Sequence, residues 1–180
     1  GHQGLLPIQD ASSFFLSQRS QGVAGSVVFP SMEGSRPVLV EIQALVNPSP
    51  AVEKGAPPVR RAVGIDGNRL SLLLAVMSRR LSGLKIGQAD VYASCAGGLR
   101  LNEPALDLAL VLAVASSRRD TGVEPGLAAC GEVGLGGEIR SVGQLEPRLK
   151  ELAKMGFRKV LVPAHGPKLP DLGDLKIVPV

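Results

Sequence analysis

The stretch RLNEPALDLA, residues 100–109, has the sequence of a helix start that could hold a nucleophile at its tip. Asn102 offers a capping side chain, Glu103 is an acid suited to a first turn, and Pro104 stands where a helix needs no backbone donor. The residue that follows is Ala105, whose methyl group contains no nucleophilic atom. The stretch therefore predicts the beginning of a helix without a side chain that could attack a substrate.

A second feature with chemical consequences is a run of basic residues between Val59 and Arg100. It contains seven basic and two acidic side chains, a net charge of +5 in a chain whose total is +4, so the remainder sums to −1. Its basic members are Arg60, Arg61, Arg69, Arg79, Arg80, Lys85 and Arg100. Such a run predicts a surface for anions, and the equally open alternative is a solvated helix face.

Several other chemistries lack the residues that they need. The glycine-rich segment GEVGLGGEI, residues 131–139, lacks G-x-G-x-x-G spacing, and no G-x-x-x-x-G-K-[ST] motif occurs, so we expect neither a dinucleotide site nor ATP hydrolysis. His2 and His165 are the only histidines, so we expect no metal site. Aromatic residues make up 3% of the chain and Trp is absent, which argues against bases stacked on aromatic rings. A bound nucleic acid would therefore be held by its phosphates.

Length and composition indicate one globular domain. The chain has 180 residues, of which 44% are hydrophobic and 20% are charged. The longest nearly apolar run, residues 105–115, is interrupted by Asp107 and is far shorter than the roughly 20 residues of a membrane span. No signal peptide is recognisable. Cys95 and Cys130 lie in apolar, strand-like runs and predict buried thiols in a reducing cytoplasm. We therefore expect a cytoplasmic protein without membrane contact.

The elements that must position these residues follow from turn signals and apolar spacing. Residues 1–20 are predicted to form a leading segment or linker in which Asp10 caps a short helix, and residues 21–180 form the domain. Strands are predicted at 23–29, 37–46, 61–64, 89–97, 159–163 and 175–180, with a glycine-turned hairpin at 127–142. Helices are predicted at 66–83, 104–119 and 145–157, and the proline-rich residues 47–58 are predicted to be a loop.

These elements specify a fold class. Their order, β-β-β-α-β-α-β-β-α-β-β, indicates an α+β fold with mixed β-sheets and helices packed on one face. In the helix 66–83, Asp66 is the predicted cap, and a core-facing stripe recurs at helical spacing: Leu70, Leu73, Leu74, Met77 and Leu81. The helix 104–119 is apolar almost all round, so we expect it to be central and buried.

Residues 89–163 resemble the proteolytic domain of Lon proteases. The resemblance rests on NEPALDLALVLAVASS after a strand and, more specifically, on GEVGLGGEIRSVGQLEPRLKELAKMGFRKVLVP. Upstream, EGSRPVLVEIQALV at 33–46 and GIDGNRLSLLLAVM at 64–77 are similar to the C-terminal part of RadA (Sms) proteins, a family of bacterial RecA-like repair proteins whose last domain is Lon-like. The resemblance implies a Lon protease-like, ring-forming fold.

The resemblance also implies that this domain has lost its catalytic pair. In Lon proteases a serine follows the proline of the helix-start motif, and a lysine after the hairpin exit takes its proton. These two positions correspond here to Ala105 and Glu146. Because a serine hydroxyl is a weak nucleophile without a neighbouring base, we expect no peptidase activity. The remaining alternative is a rebuilt pair in which Lys150 serves Ser94 or Ser141.

The function implied by the resemblance is support of ATP-dependent DNA branch migration in recombinational repair, as a hexameric ring. We predict that arginines of this domain bind the phosphates of double-stranded DNA, and that they are Arg60, Arg61, Arg69, Arg100 and Arg140. For each arginine the alternative is a pair with a nearby acid. For the domain the alternative is an oligomerisation scaffold that does not touch DNA.

Cofactors and further partners are implied only for longer members of the family. There, the resemblance implies ATP and magnesium in a RecA-like core and zinc in a zinc finger, all upstream of residue 1, and a recombinase as a partner. The motifs for these groups do not occur in this sequence. We therefore expect this fragment to bind no cofactor and no metal.

Overall fold

The computed structural model describes Ser12, Leu16 and residues 22–180. The strands are β1 (Ser26–Glu33), β2 (Arg36–Pro48), β3 (Arg60–Val63), β4 (Ala89–Cys95), β5 (Leu127–Ala129), β6 (Glu132–Val133), β7 (Ile139–Arg140), β8 (Lys159–Val162) and β9 (Lys176–Pro179). The α-helices are α1 (Pro50–Glu53), α2 (Gly67–Arg80), α3 (Asp107–Arg119) and α4 (Leu145–Lys154). Short 3-10 turns occupy Ser82–Leu84, Ile86–Gln88, Ala96–Gly98 and Pro104–Leu106. The predicted cap Asp10 lies outside the described residues.

Seven of the strands form one mixed sheet, in the order β3-β4-β2-β1-β5-β8-β9. β2 pairs antiparallel with β1 and with β4, whereas the pairs β3–β4, β1–β5, β5–β8 and β8–β9 are parallel. β1 and β2 form a hairpin, and Gly34, at φ 63°, takes the left-handed conformation in its turn. The mixture of α-helices with a mixed sheet agrees with the predicted fold class at that level.

The predicted hairpin at 127–142 is wrong in its first part. Leu127–Ala129 forms β5, which lies inside the large sheet between β1 and β8, and only β6 and β7 form a hairpin. All three residues of β5 are buried. A short apolar run of this kind is typical of a strand that is covered on both faces, and its position in a sheet depends on distant partners.

At the centre of the sheet both faces are buried. Val27, Val28 and Phe29 are consecutive residues of β1, and each is fully buried. Because successive side chains of a strand point to opposite faces, the centre of the sheet must be covered on both sides.

The helices begin and pack largely as their sequences predict. The carboxylate of Asp66 accepts a hydrogen bond from the backbone N–H of Asn68 at 2.9 Å, which confirms the predicted cap of α2. Four residues of the predicted stripe are buried, whereas Leu81 follows the last residue of α2 and is 42% exposed, so its assignment to the core is wrong. α3 packs against β1 and β2 and is buried on most sides. Its Ser116 and Ser117 side chains accept hydrogen bonds from the backbone N–H groups of Gly25 and Val46, which joins α3 to the two strands.

The proline-rich segment 47–58 is not entirely a loop. It contains α1, which begins after Ser49, and the Ser49 hydroxyl accepts a hydrogen bond from the N–H of Val52 at 3.4 Å. Pro50 at the first helical position suits this start, because that position needs no backbone donor. Within the described part of the chain, no helix is long and apolar enough to cross a membrane.

Candidate nucleic-acid interface

Ala105 lies in the 3-10 turn Pro104–Leu106, immediately before α3, and is 5% exposed. Its carbonyl accepts a hydrogen bond from the N–H of Gly131 at 2.9 Å. The predicted capping by Asn102 is wrong, because no side chain caps the turn or α3, and Glu103 is the residue that precedes the turn. The helix start instead depends on contacts from distant parts of the chain.

The strongest of these contacts is a buried ion pair between Arg148 of α4 and Glu103. The guanidinium of Arg148 also donates to the carbonyls of Pro30, at 2.8 Å, and Gly143, at 3.0 Å, and lies over the ring of Phe29. The sequence motifs do not single out this residue. The signal that was available is its position on the apolar stripe of an amphipathic helix, next to Leu145, Leu149 and Leu152.

Arg148 and Glu103 form hydrogen bonds with backbone groups of β1 where no described strand pairs with its edge. β5 meets β1 at Val28 alone, so the edge groups of β1 beyond that point have no neighbouring strand. The Pro30 carbonyl accepts from Arg148, and the Met32 N–H donates to Glu103 at 3.2 Å. The two side chains therefore satisfy backbone groups that a paired strand would otherwise satisfy, and they occupy the edge beside Ala105.

The residues considered for a peptidase pair do not gather around Ala105. The side chains of Glu146 and Lys150 are 51% and 59% exposed and form an ion pair with each other at 3.6 Å. Ser141 donates to the carbonyl of His165 at 2.8 Å, and Ser94 lies in β4, paired with Gln43 of β2. The idea that Lys150 turns into this pocket is therefore wrong.

Both cysteines are free and buried, as their surroundings in the sequence predict. Burial raises the pKa of the Cys130 thiol to about 12, and it raises the pKa of the Cys95 thiol to about 11. The charge of Arg148 opposes the shift at Cys130, which places this thiol close to the Arg148–Glu103 pair. Neither thiol is ionised at neutral pH, so neither offers a nucleophile.

Arg69, in the first turn of α2, is held by an acid. Its guanidinium donates a bidentate pair of hydrogen bonds to the carboxylate of Asp107, and the bond from Nε to Oδ1 measures 2.7 Å. The side chain of Asp107 is fully buried. The hydrogen bond with Asp107 raises the pKa of Arg69 above its ordinary value. Asp107 also accepts from the N–H of Val133 at 2.9 Å. Arg69 therefore joins α2 to α3. For this arginine the structure shows the pair with a nearby acid that the sequence left open as the alternative to phosphate binding.

Arg140 of β7 is exposed and is paired with surface acids. Its side chain is 60% exposed and lies 3.5 Å from Glu138 and 3.9 Å from Glu132. Together with Arg69 it lines a small cleft of about 260 Å³ between α2 and the β6–β7 hairpin. Exposed pairs of this kind contribute little stability, so Arg140 can exchange its partners for a phosphate.

Arg60 and Arg61 point to opposite sides of β3. The guanidinium of Arg60 donates to the carbonyls of Ala89 and, at 3.0 Å, Ile86. Burial lowers the pKa of Arg60, and the charge of Asp90 opposes that shift. Arg61 is exposed on the other face of the sheet and makes no ion pair with the described residues.

Arg100 is exposed and likewise has no ion pair within the part of the chain that the structure describes. Its neighbour Leu101 donates to the carbonyl of Gly64 at 2.7 Å and forms a bridge with Ile65, just before α2. Arg100 therefore lies at the same end of α2 as Arg69.

The structure thus divides the five predicted arginines into two groups. Arg69, Arg100 and Arg140 lie around the start of α2, and we call these three residues the arginine surface. Arg60 and Arg61 lie at the start of β3, several residues before the start of α2. Arg69 and Arg140 line one cleft, whereas Arg100 lines a separate pocket together with Glu33 and Glu103.

Curated relatives of this chain share one name. The DNA repair protein RadA of Bacillus subtilis is 49% identical over 162 residues, which cover 90% of this chain and 34% of that protein. RadA of Synechocystis is 44% identical over 177 residues, or 98% of this chain and 34% of the relative. RadA of Listeria monocytogenes is 46% identical over 162 residues, which cover 90% of this chain and 34% of that protein.

No protein-family model matches the chain. The chain spans about a third of the length of the curated relatives that it matches. The match to the Synechocystis protein covers 98% of the chain and therefore nearly all of the described domain. The chain therefore belongs to the RadA family and matches the C-terminal part of its members.

Proposed function

We propose that this chain is a non-proteolytic domain of a DNA repair protein, and that it binds the phosphate backbone of double-stranded DNA. The observation that carries the proposal is the exposed guanidinium of Arg100, which forms no ion pair with the described residues, together with that of Arg140, which is 60% exposed and pairs only with partly exposed acids. Arginine forks match phosphate oxygens and stay charged at any physiological pH. Contacts of this kind read no base sequence, so binding is independent of sequence.

The members of the arginine surface have different roles in this proposal. Arg100 and Arg140 contact phosphates directly. Arg69 is held by Asp107 and contributes by positioning α2, with its partly exposed edge facing the same cleft. Arg60 and Arg61 do not belong to this surface, because Arg60 is held by the carbonyls of Ala89 and Ile86 and Arg61 points to the other side of β3.

The absence of peptidase activity is part of the proposal. Ala105 has no hydroxyl, Glu146 and Lys150 face solvent, and the Arg148–Glu103 pair occupies the adjacent strand edge. Its test is direct: the chain should neither degrade casein nor become labelled by a serine-directed reagent.

We further propose that copies of this domain assemble as a hexameric ring in the full-length protein. A ring repeats each weak phosphate site, and linked sites raise the overall affinity without any new contact. In the full-length protein, the upstream part would supply ATP hydrolysis for branch migration with bound magnesium, carry zinc, and engage a recombinase.

A specific observation favours a second candidate, an oligomerisation scaffold without DNA contact. Arg60, Arg69 and Arg140 each have protein partners, and Glu132, Glu138 and Asp107 offset much of the positive charge at the arginine surface. A chain that forms hexamers but gives no gel shift with duplex DNA at low salt would favour the scaffold and overturn direct binding.

The decisive experiment is a salt titration of duplex binding by fluorescence anisotropy. We expect R100A and R140A each to weaken binding and to reduce the slope of log K against log salt by about 0.9, the value for one phosphate contact. R100K should retain most of the affinity. The matched control is R158A, which removes an exposed arginine just before β8, at the far end of the sheet order. If the R100A/R140A double variant binds like R158A, the arginine surface is not the DNA site.

A further inference from the structure

One face of the sheet carries an apolar groove that the proposed function does not use. It has a volume of about 530 Å³ and lies over β2, β4 and β3, next to the start of β1. The strand register places its residues in two rows: Leu45, Tyr92 and Arg61 are neighbours across the strands, and so are Gln43, Ser94 and Val63. The groove is therefore formed by alternate residues of three adjacent strands.

The groove is unusual because it exposes large aliphatic side chains. Val63 is 69% exposed and Leu45 is 54% exposed, although both lie in strands of the main sheet. A contiguous exposed apolar patch on a sheet is typical of an interaction surface. Arg61 is the basic residue of the groove, and it has no ion pair with the described residues.

A matching projection lies at the tip of the β6–β7 hairpin. Leu135 is 74% exposed, more than any other large hydrophobic side chain described here. Its loop is rigid, because the N–H of Gly134 donates to the carbonyl of Glu138 at 2.9 Å and the N–H of Gly136 donates to the Glu138 carboxylate at 3.0 Å. The exposed leucine is therefore presented in a preorganised turn beside an exposed acid.

The groove and the hairpin tip lie on opposite sides of the sheet. α2 covers the face of β3 that carries Ala62, and the hairpin lies beside α2, where Gly137 approaches Arg80. Arg61 and Val63 point to the other face. Because one copy cannot bring its own tip to its own groove, a tip-in-groove contact is made between copies, and when two copies do not reciprocate it, it joins each copy to two different neighbours. Such a head-to-tail contact generates closed rings when its rotation closes.

We propose that the hairpin tip of one copy, with Leu135 and Glu138, docks in the β2-β4-β3 groove of a second copy, against Val63, Leu45 and Arg61. The occupant is a second copy because the tip offers an exposed leucine to the aliphatic patch and an exposed carboxylate to Arg61, which forms no ion pair with the described residues. Glu41, the carboxylate in the lining of the groove itself, is buried. The contact rests on the proposed ring and specifies the surfaces that build it. It also assigns Arg61 to the subunit contact rather than to DNA.

The test is the mass of the 180-residue chain in solution, measured by sedimentation velocity over a range of concentrations. We expect L135D and V63D each to raise the dissociation constant of the assembly at least tenfold, and L135S to have a smaller effect in the same direction. The control is V180D, which places the same charge on an exposed aliphatic residue beyond β9, at the opposite edge of the sheet. Circular dichroism of each variant confirms that the fold is retained.

A charge reversal tests the pairing itself. R61E and E138R should each weaken assembly, and the double variant R61E/E138R should recover at least part of the loss. If L135D and V63D keep the wild-type mass, or if the double reversal recovers nothing, the docking contact is wrong. If V63D stays assembled while residues 13–21 become sensitive to protease, the groove belongs to this chain's own leading segment and the proposal is overturned.

The outcomes separate this contact from the proposed function. A wild-type chain that is monomeric at every concentration overturns the docking contact and the ring together, whereas the salt titration of DNA binding still reports on the arginine surface. A chain that assembles normally in L135D but loses DNA binding in R100A/R140A overturns the docking contact alone.

Discussion

Replacing Arg148 by alanine is expected to destabilise the fold by about 3–5 kcal/mol, the range for removing one partner of a buried ion pair. The change removes the ion pair with Glu103 and the hydrogen bond to the Pro30 carbonyl. Both groups then remain in a largely buried corner without the cation that satisfied them. For a domain of this size, 1 kcal/mol corresponds to roughly 2–4 °C in melting temperature, so a decrease of about 10 °C is expected.

The assay is urea unfolding followed by circular dichroism, with a double-mutant cycle. E103Q should also be destabilising, and R148M/E103Q should cost clearly less than the sum of the two single changes, because no buried charge is left unpaired. The matched control is K150A. Lys150 lies on the same helix, faces solvent and pairs with Glu146, so we expect the free energy of unfolding to change by less than about 0.5 kcal/mol. An R148A cost below about 1 kcal/mol, or additive single changes, would refute the role of this pair at the strand edge.

Three further changes test other parts of the structure. R69A is expected to cost about 2–4 kcal/mol in unfolding free energy, because the fully buried Asp107 carboxylate loses its cation. The Cys130 thiol is expected to resist iodoacetamide at pH 8 in the folded chain and to react in urea, because burial raises its pKa to about 12. As the pH rises above about 8.5, the ordinary thiol pKa, the unfolded state loses this proton while the folded state keeps it, so stability falls, and C130A should reduce that fall. A105S is expected to remain inactive towards casein, because Lys150 is exposed and paired with Glu146, and Arg148 is salt-bridged to Glu103.

Each of these expectations has a measurement that contradicts it. Urea unfolding of R69A within about 0.5 kcal/mol of the wild type would mean that Asp107 does not need its arginine. Mass spectrometry that finds rapid alkylation of folded Cys130 at pH 8 would contradict its burial. Casein degradation by A105S above the level of the wild-type chain would show that a base is available after all.

The local elements could be predicted because their signals are local. Asp66 caps α2 through the backbone of Asn68, and the apolar stripe of α2 turns towards the core, since both effects involve residues within a few positions of each other. The β1–β2 turn at Gly34 needs a left-handed backbone that glycine adopts readily. In contrast, β5 was assigned to a hairpin because nothing near Leu127 indicates that its partners are Val28 and Val160.

The candidate site shows the same division at the level of single side chains. An arginine in a sequence carries the same charge whether it faces solvent or an acid, so the basic run alone did not separate Arg69 from Arg100. Only the packing of α2 against α3 brings Asp107 to Arg69 and leaves Arg100 exposed. The sequence likewise did not separate Glu146 from Arg148, which lie two residues apart on α4. Glu146 is exposed and pairs with Lys150, whereas Arg148 is buried and pairs with Glu103.

By itself, the sequence determined the α+β composition, the main helices, the membership in a known family and the absence of a hydroxyl at position 105. The tertiary structure decided which charges are neutralised, which strand edges are closed and which apolar side chains stay exposed. The physical reason is range: helix caps, turns and amphipathic stripes depend on residues a few positions apart. Ion pairs such as Arg148–Glu103 and grooves such as the one around Val63 arise from residues that meet only when the sheet has formed.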